Sequence, residues 1–380
     1  MNESNRFDDT GVYGKEASAT SYVSPGDGGR GGIPGALGAT ARWLVLTGLL
    51  LAGHAVWAEQ ESAFEPLPYR LGEGLRLPGS GFGLGGYATV TADKLQHEPA
   101  RSSLDNLSLF LWWEGKGRWK FFSEFDFENI LSTRYTNRND DDRYLALERI
   151  YLDYALDEAT NLRIGKFLTP IGRWNLIHAT PLVWTSSRPL VTQQTFPGNV
   201  TGLMLGGTLS NLGEAEYSLY TSSGYEIRAN PAIDPFSSVI GGHLTLPTVG
   251  GSSLGFSYAT FEQDKTPGER KKLVGIDFLW TRNRYELSAE GIYRFSDNGS
   301  SWDEKGYFAQ LVVPLTEKLY AVGRYEYFRG PLAPAATQLW VTGLNYRMTP
   351  AIALKAEWIS GKNNNIGAPE GLMSSVSILF

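Results

Sequence analysis

From residue 81 to the last residue, apolar and polar side chains alternate with a period of two, segment after segment. In "RWKFFSEFDFE" (118–128), Trp119, Phe121, Phe125 and Phe127 fall on one face, and Lys120, Glu124, Asp126 and Glu128 on the other. "RYELSAEGIYRF" sets Tyr285, Leu287, Ala289, Tyr293 and Phe295 against Arg284, Glu286, Ser288, Glu290 and Arg294. "KLYAVGRYEY" sets Leu319, Ala321, Tyr325 and Tyr327 against Arg324 and Glu326. This period belongs to β-strands. The charged face has to meet water and the aromatic face has to leave it. An all-β, transmembrane antiparallel β-barrel satisfies both, with a hydrated lumen inside and lipid outside.

Sixteen such segments are predicted, beginning near residues 81, 103, 118, 145, 161, 201, 214, 236, 252, 270, 284, 304, 318, 336, 351 and 370. Their connections alternate in length. "GKG", "DEAT", "NLG", "PTVG", "RN", "LTE" and "MTP" are short, whereas "RYTNRNDDD", residues 165–197, "GYEIRANPAIDP", "QDKTPGE", "SDNGSS", "RGPLAPA" and "GKNNNIGAP" are longer. Membrane barrels place short turns in the periplasm and longer loops outside. The chain stops on "VSILF", with Val376, Ile378 and Phe380 on one face. This resembles the last strand of outer-membrane proteins, and Phe380 is the expected insertion signal.

The N-terminal region supplies an address. "ARWLVLTGLLLAGHAVWA" has Arg42 as positive flank, an apolar run from Trp43 to Gly53, and a cleavage site after Ala58 with Val56 at the minus-three position. It reads as a secretory signal, too short for a spanning anchor. The expected layout is a removed leader over 1–58, an irregular periplasmic lead-in over 59–80, and an outer-membrane barrel over 81–380. The absence of cysteine among 380 residues excludes thiol chemistry and thiolate metal sites, and a formal charge of -6 argues against nucleic acid as a partner. No cofactor and no metal are expected.

Other motifs have plainer readings. "GFGLGG" (81–86) matches a dinucleotide fingerprint in letters, but no strand precedes it and no helix follows. The mature chain has His97, His178 and His243, which the strand plan keeps apart, so no catalytic pair is expected and the chain is read as not an enzyme. A barrel enzyme would instead show a His paired with Ser or Asp on adjacent strands. Lumen acids such as Glu124 with Asp126 would bind a divalent cation, or simply line a hydrated wall opposite Arg149, Arg294 and Arg324.

One stretch stands apart. "GKFLTPIGRWNLIHATPLVWTSSRPLVTQQTFP" (165–197) reads neither as helix nor as strand, and from Ala159 to Gly213 there is no carboxylate, where the chain's 40 acids in 380 residues would put about six. Arg163, Lys166, Arg173 and Arg188 are all present. The layout, and "RIGKFLTPIG" followed by "SRPL", resembles bacterial outer-membrane porins of the phosphate-selective type, in which such a segment leads into the third outer loop. The resemblance implies a sixteen-stranded barrel with that loop folded into the pore. It also implies a lumen ladder of arginines with a lysine cluster, although this chain has no dense basic cluster.

Two roles remain open for the cations. In one, Arg173 and Arg188, with Lys166 if a bulge near Gly165 turns it inward, form a constriction with Trp174 and His178 that favours anions. In the other, they pair with wall carboxylates and hold the loop down. Trp174 and Trp184 would either guide sugars or aromatic acids or anchor the loop. The expected function is passive diffusion of small hydrophilic solutes, anionic or neutral, through a homotrimer in outer-membrane lipid, with a modest anion preference. The alternatives are a channel selective for sugars or organic acids and an outer-membrane barrel enzyme.

Overall fold

The computed structural model describes residues 69–132, 144–177, 179–222, 224–229, 234–297 and 303–380. The expected leader, residues 59–68 of the lead-in, the acidic run 139–142 and His178 lie outside the described residues.

A small hairpin, β1 (Tyr69–Arg70) with β2 (Gly74–Arg76), comes first and pairs onto the start of β3. The lead-in, expected to be irregular, therefore joins the sheet from residue 69. Sixteen longer strands follow: β3 (Phe82–Leu95), β4 (Arg101–Glu114), β5 (Trp119–Ser132), β6 (Tyr144–Ala155), β7 (Thr160–Leu168), β8 (Asn199–Leu209), β9 (Ala215–Ser222) and β10 (Phe236–Thr248) make the first half. β11 (Ser252–Gln263), β12 (Thr266–Arg282), β13 (Tyr285–Ser296), β14 (Glu304–Pro314), β15 (Leu319–Arg329), β16 (Thr337–Thr349), β17 (Ile352–Lys362) and β18 (Gly371–Leu379) make the second. Each pairs antiparallel with the next, and β18 returns to β3 from Gly371↔Leu95 to Leu379↔Tyr87. A closed sheet has no free edge, the condition under which strands can cross a bilayer.

Phe380 finishes the seam. Its N–H donates to the Gly86 carbonyl and its carbonyl accepts from the Gly86 N–H, both at 2.8 Å. A Cβ at Gly86 would stand 2.1 Å from the Ser108 carbonyl and 3.1 Å from the Phe380 ring, so only glycine permits this closure.

The strands begin within two residues of their expected positions except β12, which starts at Thr266 rather than near 270. "QDKTPGE" is not the longer loop expected of it, because β11 and β12 turn over Asp264 and Lys265 alone. Pro267 is tolerated there because β12 pairs with β13 only from Lys271 onward, so its missing N–H removes no bond of that ladder.

Outward positions such as Ile164, Ile240, Ile276 and Trp358 are apolar and each at least half exposed. Trp119 packs on Tyr154 at the short-turn end, and Tyr307 stacks on Tyr327 with Tyr325 beside Trp340 toward the other. Aromatic girdles of this kind sit at membrane interfaces. The inward face differs from a uniformly hydrated wall. Val200, Tyr220, Val239, Phe261, Leu273, Ile292 and Phe308 point inward and form a buried cluster with Ile171, Val191 and Phe196 of the β7–β8 loop. A polar inner face is required only where water reaches it, and here the loop takes the place of water.

Candidate functional site

The β7–β8 loop, residues 169–198, holds a 3-10 turn (Trp174–Ile177) and the short helix α1 (Leu190–Gln194). It lies along the inner face of β11 to β18. Three wall carboxylates hold it by its backbone. Glu290 Oε1 accepts the N–H groups of Arg173, at 2.7 Å, and Trp174. Glu357 accepts Ser186 N–H at 3.1 Å and Ser187 N–H at 2.7 Å, and Glu326 accepts Leu190 N–H at 2.6 Å at the start of α1. Gly172, with φ at 64°, brings the chain onto Glu290, since a Cβ there would lie 2.5 Å from Glu290 Oε2. Wall cations bind the loop's carbonyls in turn: Lys355 takes Thr180 O and Thr185 O, Arg324 takes Ser187 O, and Arg294 takes Thr195 O.

This accounts for the missing acids of the loop, 169–198. A carboxylate in the loop would face Asp277, Glu290, Glu326 and Glu357, all nearly fully buried beneath it, and like charges at such range are costly.

The expected constriction residues separate into different roles. Arg173 is a tether: its Nη2 donates to Ser253 Oγ at 2.8 Å and its Nε stands 3.5 Å from Asp277 Oδ1. Arg188 is different. Among the described residues it makes no ion pair; its guanidinium lies 5.1 Å above the Trp174 ring and donates to Asn175 Oδ1, while its Nε has no partner. Trp174 packs against the inner cluster, so it anchors the loop, and Trp184 does likewise against Tyr320, 4.9 Å away.

Lys166 is not at the pore. Gly165 takes φ 133° without a register shift, so Lys166 pairs with Ile150 and Thr201 on the outward face. There the β9–β10 connection covers it, with Glu226 at 3.0 Å and the carbonyls of Ile227 and Arg228 on its ammonium. A bulge at Gly165 would have reversed this, and there is none.

Of the expected wall residues, Arg149 and Glu124 face the lumen as an ion pair at 2.5 Å. Arg294, paired with Glu304, and Arg324, paired with Glu326, also face inward but lie under the loop.

The opposite wall, β3 to β7, carries a row of inward aromatic rings, the last of which packs against the inner cluster. Tyr87, Phe110, Phe122 and Tyr151 follow one another at 5.8, 5.7 and 5.5 Å across four adjacent strands. Arg149 stands 4.6 Å over Phe122 and Arg163 3.7 Å over Tyr151, with Arg163 fixed on Asp153 at 2.7 Å. Sequence reasoning missed this row, although the inward parity of Phe122 beside Glu124 was readable.

The outline expected of a barrel enzyme does occur: His243, Ser257 and Asp277 sit on β10, β11 and β12. His243 Nδ1 meets Ser257 Oγ at 2.8 Å, but its Nε2 bonds Thr245 Oγ1 at 3.0 Å and is 3.7 Å from Asp277 Oδ2. Ser257 is buried and its Oγ accepts the Gly172 N–H at 3.1 Å. A nucleophile needs an exposed hydroxyl and a His oriented by a hydrogen-bonded acid. This Ser instead supports the loop.

The chain matches no protein-family model and no curated protein. Among solved structures it is similar to OmpF of Salmonella typhi in complex with daunomycin, at 10% identity and TM-score 0.59 over 80% of this chain and 98% of that one. It is also similar to an anion-selective porin from Comamonas acidovorans (12% identity, TM-score 0.54, 78% of this chain and 97% of that one). A third is the outer membrane channel DcaP of Acinetobacter baumannii (12% identity, TM-score 0.55, 81% and 99%). At these identities the likeness is one of fold.

Proposed function

We propose that the chain is a channel of the bacterial outer membrane through which small hydrophilic solutes diffuse, assembled as a homotrimer, and that it performs no chemistry. The observation that carries this reading is the division of the inner wall. The β7–β8 loop is bonded to β11–β18, and the opposite wall, β3–β7, carries its own ion pairs and a row of aromatic rings. Export by cleavage after Ala58 belongs to the same proposal. Its anion preference rests on Arg188 alone rather than on a three-cation constriction. The phosphate-selective type is not proposed, because Arg149, Arg163, Arg294 and Arg324 each have a carboxylate partner. Purified protein in a planar bilayer tests the reading: stepwise, ohmic conductance supports it, and membranes that stay sealed refute it.

The row from Tyr87 to Tyr151 favours a second reading, a channel selective for sugars or organic acids. Stacking on aromatic rings beside cations suits flat, ring-shaped or carboxylated solutes. Under this reading such solutes transiently block the current, and Phe122→Ala weakens the block by roughly fivefold, for the loss of about 1 kcal/mol of ring contact. Equal block in wild type and variant rejects it.

Phe380 is proposed as the insertion signal as well as the seam residue. Deleting it, or replacing it with Asp, is expected to lower the yield of inserted barrel far more than it alters the conductance of molecules that do insert. A charge on the lipid face costs at most about 2–4 kcal/mol at mid-membrane and less near an interface. Unchanged membrane yield would remove the signal role.

A further inference from the structure

Asp126 and Glu128 lie on the lumen face of β5, and β6 adds a third carboxylate by an irregularity. Glu124 pairs with Arg149 and Phe125 with Leu147, which leaves Glu148 as one extra residue in β6. Bulges re-aim side chains, and this one delivers Glu148 to the other two: a carboxylate oxygen from each of Asp126, Glu128 and Glu148 lies within 4.8 Å of the others. Among the described residues none of the three forms an ion pair; Glu148 Oε2 accepts only the neutral Asn199 Nδ2, at 3.0 Å.

Asp126 adds an independent observation. It is 5% exposed, its Oδ2 accepts from Asn106 Nδ2, and its Oδ1 is buried without any hydrogen-bond partner. A buried carboxylate oxygen left unmatched is expensive, and three clustered carboxylates compound the cost.

We propose that Asp126, Glu128 and Glu148 hold a hard divalent cation, calcium foremost, on the lumen wall toward the long-loop end of β5. All the donors are oxygens, with no imidazole or thiolate, which selects calcium or magnesium over zinc. Calcium also accepts an irregular cage completed by water and by neighbours such as the Asn106 amide. The site bears on ion preference, because it sets three carboxylates together on the lumen wall. Three negative charges become one when the ion binds. Binding itself does not depend on the channel reading; only this consequence does.

Chelator-stripped protein in detergent, titrated with calcium chloride in a calorimeter, tests the site. Wild type is expected to bind one calcium ion that Asp126→Asn with Glu148→Gln does not, with a dissociation constant on the order of 10⁻⁴ to 10⁻³ M, the range of extracellular calcium modules. Glu128→Gln alone, should the double variant not fold, weakens binding at least tenfold. Glu317→Gln, on a short turn, leaves it unchanged. No binding by wild type up to about 10 mM, or the same binding in the folded variants, overturns the proposal. If the protein binds calcium but forms no channel, the site stands and the channel reading falls.

Discussion

Arg188→Glu is expected to shift ion preference toward cations by about an order of magnitude at 0.1 M salt, read as the reversal potential of single channels under a salt gradient. Arg188 is the cation of the β7–β8 loop that makes no ion pair among the described residues, held by Trp174 and Asn175. Under the proposal that its guanidinium borders the hydrated path, a fixed unit charge there acts with about 1 kcal/mol, and reversal changes the charge by two units. The effect should fade as salt rises, because the Debye length falls from about 10 Å at 0.1 M to about 3 Å at 1 M. Arg173→Glu provides the contrast. It sets a carboxylate against Asp277 and Glu290, so it should loosen the loop and change ion preference less. A reversal potential that Arg188→Glu leaves unmoved at low salt would refute the assignment.

The barrel was legible because its strands obey one local rule. Period-two alternation placed fifteen of the sixteen long strands within two residues of their starts, and it failed only at "QDKTPGE", where Pro and Gly imitate a loop although the strand continues. The same rule said which face a residue takes but not what covers that face. Parity puts Lys166 outward, and only a bulge would have turned it inside. What hid its partner is distance along the chain: Glu226 lies sixty residues on, in a connection with no pattern of its own. Ile292 and Phe308 interrupt polar faces for the same reason, since the loop that buries them is remote in sequence. The acid-free stretch was visible as a fact, yet for its loop the cause lies in Glu290, Glu326 and Glu357, on strands far beyond it.

Removing two of those carboxylates should have the largest mechanical effect. Glu290→Ala with Glu357→Ala takes the acceptor from four loop N–H groups, those of Arg173, Trp174, Ser186 and Ser187. Hydrogen bonds to a charged acceptor contribute on the order of 1.5–3 kcal/mol each, and the abandoned donors would be buried. The loop is expected to leave the wall, giving a larger and noisier single-channel conductance, while heat-resistant migration on gels reports an intact barrel. Trypsin supplies a readout independent of current. In wild type Arg173 is held against Ser253 and Asp277, and in the double variant the Arg173–Trp174 bond should be cut, whereas Arg188 precedes Pro189 and is not a trypsin site. The apolar contacts of Ile171, Val191 and Phe196 oppose this release, so the experiment weighs charged hydrogen bonds against burial. If conductance is unchanged and trypsin still fails to cut, the loop is held by its apolar cluster, and the carboxylates serve only to satisfy its backbone.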